Sequence, residues 1–352
     1  MIEALRRAGY DGVVYVPESS NGDWNHSYTD QIEWEQRYLN RCDLIIAWVP
    51  RDLKTMPAFT TNVEFGQFVT SGRLLYGRPN GAPKTQYLDV AYKQTVLKEP
   101  LESIEALATE AVQRLGAGAL RTGGECSVPL SVWRTAQFQA WHKALSGAGN
   151  RLDDAQVLWA FFVGGKKEFL FSYTMKVKVW VATETRHKVN EYVFSRTDTS
   201  SIIPFYRGDN PNDPKIILVK EFRSPGRTQD GFVHELPGGS SFKPGKDPNQ
   251  VASEELHEET GLAIAPERFT LVSTRQLCAT LSTHCSHVFG VELTKEEYEM
   301  ARFFEESNLM FGVLEDSEIT SVECRSVSEI LNDSLLDWSN IGMIMSVLNR
   351  AR

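Results

Sequence analysis

Three glutamates in the C-terminal half of the sequence have a spacing that could do chemistry. Glu255, Glu258 and Glu259 stand at i, i+3 and i+4, so on a helix they share one face within about a hundred degrees. Carboxylates on adjacent turns repel one another, and a cation among them relieves that repulsion. Oxygen-only ligands suit Mg²⁺ or Mn²⁺, which take carboxylate, water and substrate phosphate. Upstream, Pro237-Gly238-Gly239 reads as a tight turn whose backbone can approach the same ion, with Thr260-Gly261 ending the helix. A solvated acidic face is the plainer alternative for any glutamate cluster, but it explains neither glycine signal. A bound divalent cation would neutralise a phosphate substrate and activate water. The base that takes the proton has two candidates, Glu315 and Glu318, in the turn-like Leu314-Glu315-Asp316-Ser317-Glu318. Either could equally be an exposed loop acid.

A second constellation lies near the N-terminus. Asp43 heads an apolar run, Leu44-Ile45-Ile46-Ala47-Trp48-Val49, that reads as a buried strand. Thr60 or Thr61 is expected to cap a helix over 60–70, which puts Glu64 in its first turn. There the helix dipole would keep the carboxylate ionised. An ionised carboxylate in a cleft can act as a nucleophile or stabilise a sugar cation; a simple N-terminal helix acid is the commoner role.

The C-terminal segment resembles the Nudix box, G-x5-E-x7-R-E-U-x-E-E-x-G-U with U aliphatic. Glu255 to Leu262 matches its second half at every defined position. The resemblance implies that Glu255, Glu258 and Glu259 hold catalytic metal, with Gly239 a further ligand. The box's Arg is Glu254 here, and its first Glu aligns with Lys246 after a one-residue insertion between Gly239 and Pro244. The signs are exchanged, so a Lys246–Glu254 pair is expected to replace the usual one, without the bidentate geometry of Arg. The flanking Leu218 to Pro225 and Val233 to Gly239 are similar to Nudix members acting on ADP-ribose and nucleotide sugars. By that similarity Arg223 contacts the diphosphate and Glu235 approaches substrate or metal, although Arg223 also reads as an ordinary surface arginine.

Residues from about Gly9 to Leu88 resemble the nucleoside 2-deoxyribosyltransferase family, through Val16-Pro17-Glu18, Trp48-Val49-Pro50-Arg51 and Thr61-Asn62-Val63-Glu64-Phe65-Gly66. This implies a flavodoxin-like α/β fold acting on N-glycosidic bonds, with Glu64 as nucleophile and Asp43 and Asn62 shaping the pocket. The family opens with a strand and a Gly-Pro loop lining the sugar pocket, and this sequence starts after them. A nucleotide-sensing or dimerising role is therefore the alternative to catalysis.

The elements that must position these residues can be read along the chain. Gly12 to Val16 is expected as a buried strand, 30–41 as a helix, 74–76 as a short strand and 95–115 as one long helix. Strands alternating with helices mean α/β with a parallel sheet. Glycines cluster from Gly116 to Gly124, and 128–165, with Trp133, Trp141 and Trp159, is expected as connecting helices. From Phe169 the pattern becomes strand-rich: Lys176 to Val181 alternates, Ile216 to Val219 is a core strand, strands are expected near 269–273 and 288–293, and a helix closes the chain from Ser339. The expected organisation is a flavodoxin-like domain over 1–120, a helical linker over 121–168 and an α+β Nudix domain over 169–352.

Composition excludes several classes. Among 352 residues the charged fraction is 24% and the net charge −9, with no long basic block, so a nucleic-acid polymer is not an expected partner. No run of about 18 apolar residues suggests a membrane span, and Met1 to Arg7 lacks a signal peptide's apolar core. The five cysteines are scattered without CxxC spacing, which argues against disulfides or structural zinc and for a reducing cytoplasm. The expected partners are a small nucleotide substrate and further copies of the chain.

Overall fold

The computed structural model describes residues 1–18, 27–165, 168–208, 210–240, 247–312 and 318–350. These form two compact units, Met1–Arg196 and Thr197–Arg352. Among the described residues no helix is long and apolar enough to cross a membrane.

Unit 1 begins with α1 (Ile2–Arg7) and α2 (Tyr28–Arg41), then β1 (Ile45–Trp48), α3 (Phe59–Phe68), β2 (Leu74–Gly77), α4 (Gln86–Val96) and α5 (Ile104–Leu115). β1 and β2 pair in parallel, Ile45 opposite Leu74, and Gly77 continues the pairing as a bridge to Leu101. The two faces of this small sheet bury different residues. Ile45, Ala47, Leu74 and Tyr76 pack on one side with Phe65, Phe68, Leu88 and Tyr92, while Leu75 packs on the other with Leu5, Leu107 and Ala111. Period-2 alternation thus places helices on both faces, as a parallel sheet requires.

Three expectations for this stretch fail. Gly12 to Tyr15 is exposed and forms no strand; among the described residues its apolar side chains have no ladder partner, and Tyr15 instead stacks on Tyr38 at 4.1 Å. The single helix over 95–115 is two, because Leu97 turns left-handed at φ 59° and Pro100 cannot donate a helical hydrogen bond. The helical linker is only partly helical. After a 3-10 turn at Gly123–Ser127 and helices α6 (Leu130–Trp133) and α7 (Ala136–Gly147), the chain enters β3 (Arg151–Val163), so Trp159 lies on a strand. β3 pairs with β4 (Phe169–Val181) and β4 with β5 (Arg186–Arg196), all antiparallel. Leu152, Tyr173, Met175, Val177 and Val179 bury that sheet's inner face against Val132 and Phe138. The hairpin between β3 and β4 spans the boundary expected at 168, because buried cross-strand pairs, not composition, bind these residues together.

Unit 2 is built on a mixed sheet ordered β11-β12-β7-β6-β10-β9. Its strands are β6 (Thr199–Tyr206), β7 (Lys215–Glu221), β8 (Val233–Glu235), β9 (Thr270–Gln276), β10 (Cys285–Glu292), β11 (Met310–Phe311) and β12 (Thr320–Ser326). β6 and β10 run parallel, and the short β8 pairs with β7. The helices are α8 (Pro248–Thr260), α9 (Lys295–Glu306), α10 (Val327–Asp333) and α11 (Trp338–Arg350). Alternation again sorts the core. Ile202 and Ile217 meet Ala252 and Leu256 of α8 and Ala301 of α9, while Ile203, Ile216 and Leu218 meet Ile330 of α10 and Ile344 and Val347 of α11. The whole chain is therefore a mixed α/β protein.

Leu256 is wholly buried one residue from the exposed His257. Leu256→Ala should cost about 2–5 kcal/mol of unit 2 stability in urea unfolding, and His257→Ala less than about 0.5 kcal/mol. Equal costs would show that α8 does not pack its apolar face as described.

Candidate metal and substrate site

Unit 2 gathers its acids where β7, β8 and α8 approach. α8 starts at Asp247, whose side chain accepts from the Asn249 N–H, with Pro248 at the first helical position, and stops at Gly261 with φ 74°. Just before it, the Gly238-Gly239 turn runs beside β6. Ser200 N–H donates to the Gly239 carbonyl at 2.8 Å, and Ile202 N–H to that of Pro237 at 2.8 Å. Gly238 has φ 154°, and a Cβ there would stand 2.0 Å from the Ser200 carbonyl oxygen, so only glycine fits. A Cβ on Gly239 would come within 2.4 Å of Glu255 Oε2. The missing side chains let the backbone reach the helix's acids.

Glu259 takes direct advantage of this. Gly238 N–H donates to Glu259 Oε2 at 2.8 Å. Burial, which outweighs that hydrogen bond, pushes the Glu259 carboxyl up to about 9, with the charges of Glu255, Glu235 and Glu318 adding to the rise. Glu255 is half-buried and Glu258 exposed. The same face therefore runs from an open carboxylate to an enclosed one.

Arg223 holds the other side. Its guanidinium lies 2.9 Å from Glu221, 3.5 Å from Glu318 and 3.9 Å from Glu235. Burial raises the Glu235 carboxyl, opposed by Arg223 and helped by Glu221, Asp337 and Glu318. Glu221 is 5% exposed and is raised for the same first reason. Sequence reading missed Glu221. Its signal was its place at the end of the apolar run Ile216 to Val219, two residues from Arg223, where an acid has no solvent to face.

The structure thus brings Arg223, Glu235, Gly239, Glu255, Glu259 and Glu318 to one region. Glu315 and Lys246 lie outside the described residues, and with Lys246 the exchanged staple; Glu254 accepts from Gln250 at 3.2 Å. The donor set fits a hard divalent cation, being oxygen only and mutually repelling. Among the described residues no group of three His, Cys, Asp or Glu stands ready-placed around one point.

The N-terminal residues are arranged differently from expectation. α3 begins at Phe59 behind a left-handed Ala58 with no side-chain cap, so neither Thr60 nor Thr61 is the cap and Glu64 lies beyond the first turn. The dipole argument fails with that register, and burial followed by the charge of Glu35 raises the Glu64 carboxyl instead. Asp43 precedes β1 and is engaged. Arg121 pairs with it, and Leu130 N–H donates to it at 2.9 Å. Asn62 accepts from Arg51. No protein-family model matches this chain, and no curated protein is significantly similar to it.

Without a cation, the raised Glu259 carboxyl means the folded chain binds more protons than the unfolded chain between pH 4.5 and about 9. Stability therefore falls as pH rises through that window. In thermal melts with a chelator, Glu259→Gln should remove part of the fall and be more stable than the parent at pH 8. Identical pH slopes would show that Glu259 is not enclosed as described.

Proposed function

We propose that unit 2 is a Nudix-type, metal-dependent hydrolase that cuts a diphosphate linkage in a nucleotide or nucleoside-diphosphate-linked substrate. The observation that carries this reading is the convergence of Glu255, Glu259 and the Gly238-Gly239 turn opposite Arg223. Glu255, Glu258 and Glu259, with the second lone pair of the Gly239 carbonyl, would hold Mg²⁺ or Mn²⁺. When bound, the cation neutralises the diphosphate and supplies an acidified water. The chain's own groups do the rest. Gly238 N–H fixes the Glu259 carboxylate, whose second oxygen is left for a ligand. Arg223 leaves its glutamates for a phosphate oxygen, a charge-assisted bond of the same kind. Glu318, released by that move, is placed in sequence and charge to accept the water's proton, and Glu235 orients the substrate from β8.

For unit 1 we propose a flavodoxin-like unit that recognises the nucleoside portion of the substrate. Asp43 is engaged in tying Arg121 and the Leu130 amide, which favours recognition over cleavage of an N-glycosidic bond. Incubation with a nucleotide library and Mg²⁺, read by mass spectrometry, separates the cases. Phosphate-bearing fragments alone support a single hydrolase with a recognition unit. Free base that disappears in Glu64→Ala would restore the glycosidic reading. No turnover at all would make the chain a nucleotide sensor.

Glu258→Gln should lower diphosphate hydrolysis at least ~100-fold, about 2.7 kcal/mol of barrier, with an unchanged melting curve because Glu258 is exposed. Turnover within a few fold of the parent at saturating Mg²⁺ would remove Glu258 from the site.

A further inference from the structure

Behind the candidate site of unit 2 lies a buried histidine that the proposed chemistry does not use. His234 is the middle residue of β8 and is 2% exposed. Consecutive strand residues point to opposite faces, and the register tells which. Glu235 stands opposite Val219, and His234 opposite Lys220. Glu235 therefore shares the face of Ile217, on which α8 packs. His234 shares the face of Ile216 and Leu218, on which α10 and α11 pack. Glu323 of β12, opposite Leu218, belongs to that rear face as well.

The imidazole is held at both ends. Nδ1 lies 2.6 Å from Glu323 and Nε2 3.2 Å from Asp230. Lys220 pairs with Asp230 at 2.6 Å, and that contact, with the Phe232 N–H, holds the Asp230 carboxyl well below the usual carboxylate range. Arg325 lies 3.2 Å from the other oxygen of Glu323 and 3.5 Å from Asp333 of α10. An ionised carboxylate only accepts, and a neutral imidazole has a single N–H. A ring that donates to both acids is an imidazolium, and its charge-assisted bonds are stronger than neutral ones. The charges then balance, His234, Lys220 and Arg325 against Asp230, Glu323 and Asp333.

These bonds join three pieces of chain. β8 has only three residues. Asp230 lies in the segment 222–232 that links β7 to β8, and it accepts from the Phe232 N–H at 3.1 Å. Glu323 belongs to β12, which pairs with β7 along its whole length. The ring thus fastens a short strand and a connecting segment to the firm part of the sheet. Arg223 stands at the start of that segment and Glu235 on that strand, and both serve the proposed site. A buried ion pair is often no more stabilising than an apolar side chain of similar volume. What the pair contributes here is geometry.

We infer that His234 is a positioning residue, whose bonds to Asp230 and Glu323 set where Arg223 and Glu235 meet the diphosphate. The effect on substrate rests on the hydrolase reading of unit 2; the clamp itself does not.

The test compares the full chain with His234→Leu and His234→Gln, the second of which keeps one donor. Without substrate, amide hydrogen exchange in His234→Leu should quicken about tenfold or more at Gly226, Gly231 and Phe232, whose N–H groups bond within the segment. Exchange in α8 should not change. With Mg²⁺ and the best substrate from the nucleotide library, KM should rise about tenfold or more in His234→Leu and less in His234→Gln. The Mg²⁺ concentration giving half-maximal rate should stay that of the parent, because Glu255, Glu258 and Glu259 lie on α8. A merely structural role would lower the melting temperature and the active fraction, and so kcat, with KM unmoved. That result overturns the inference, as does unchanged exchange in the segment. If His234→Leu does not fold, His234→Gln decides, and a KM equal to the parent's overturns the inference. A parent that turns over no library member defeats the hydrolase reading instead, and the exchange measurement then decides the clamp alone.

Discussion

The enclosure of Glu259 against the Gly238 amide is the contact on which unit 2's site depends. It requires three things at once: a turn without side chains, a helix ending just beyond the acid, and a sheet edge to hold the turn in place. Ser200 and Ile202 of β6 supply the last by donating to Gly239 and Pro237. Remove any one and the carboxylate returns to water, where it has no reason to stay near Glu255. The cost is charge. Glu221, Glu235, Glu255 and Glu318 crowd the same region, and the single positive charge of Arg223 is shared among Glu221, Glu235 and Glu318. Under the proposed reading a divalent cation offsets the repulsion that remains.

The acidic helix was legible in the sequence because the argument used only spacing, and helical spacing survives any tertiary setting. The same holds for Gly261 as its stop and for Ile216 to Val219 as a core strand. What failed depended on partners. Gly12 to Val16 has a strand's composition, but a strand needs a neighbour to bond. Glu64 was misplaced by less than one turn of helix, enough to reverse the sign of the argument from dipole-stabilised to burial-destabilised. β3 was hidden because Trp159 and Phe161 suit a helix or a strand equally until β4 supplies the pairing. Glu221 was passed over although it follows the apolar run Ile216 to Val219, because an acid at a strand's end reads as exposed until the segments that pack around it are known.

Helix polarity bears on where the negative charge of unit 2 falls. The acids of α8 occupy its last turns, where the macrodipole is negative and carboxylates are disfavoured. The helix cannot relieve them through its own end. The Glu258 carbonyl takes the Gly312 N–H, the Glu259 carbonyl the Thr320 hydroxyl and the His257 carbonyl the Gly261 N–H. Those bonds partly neutralise the carbonyl end of the dipole, so the repulsion that remains lies among the side chains themselves. Burial relieves it by favouring the protonated form of Glu259, whose carboxyl is pushed up to about 9. Under the proposed reading a bound divalent cation would take that proton's place and restore the carboxylate.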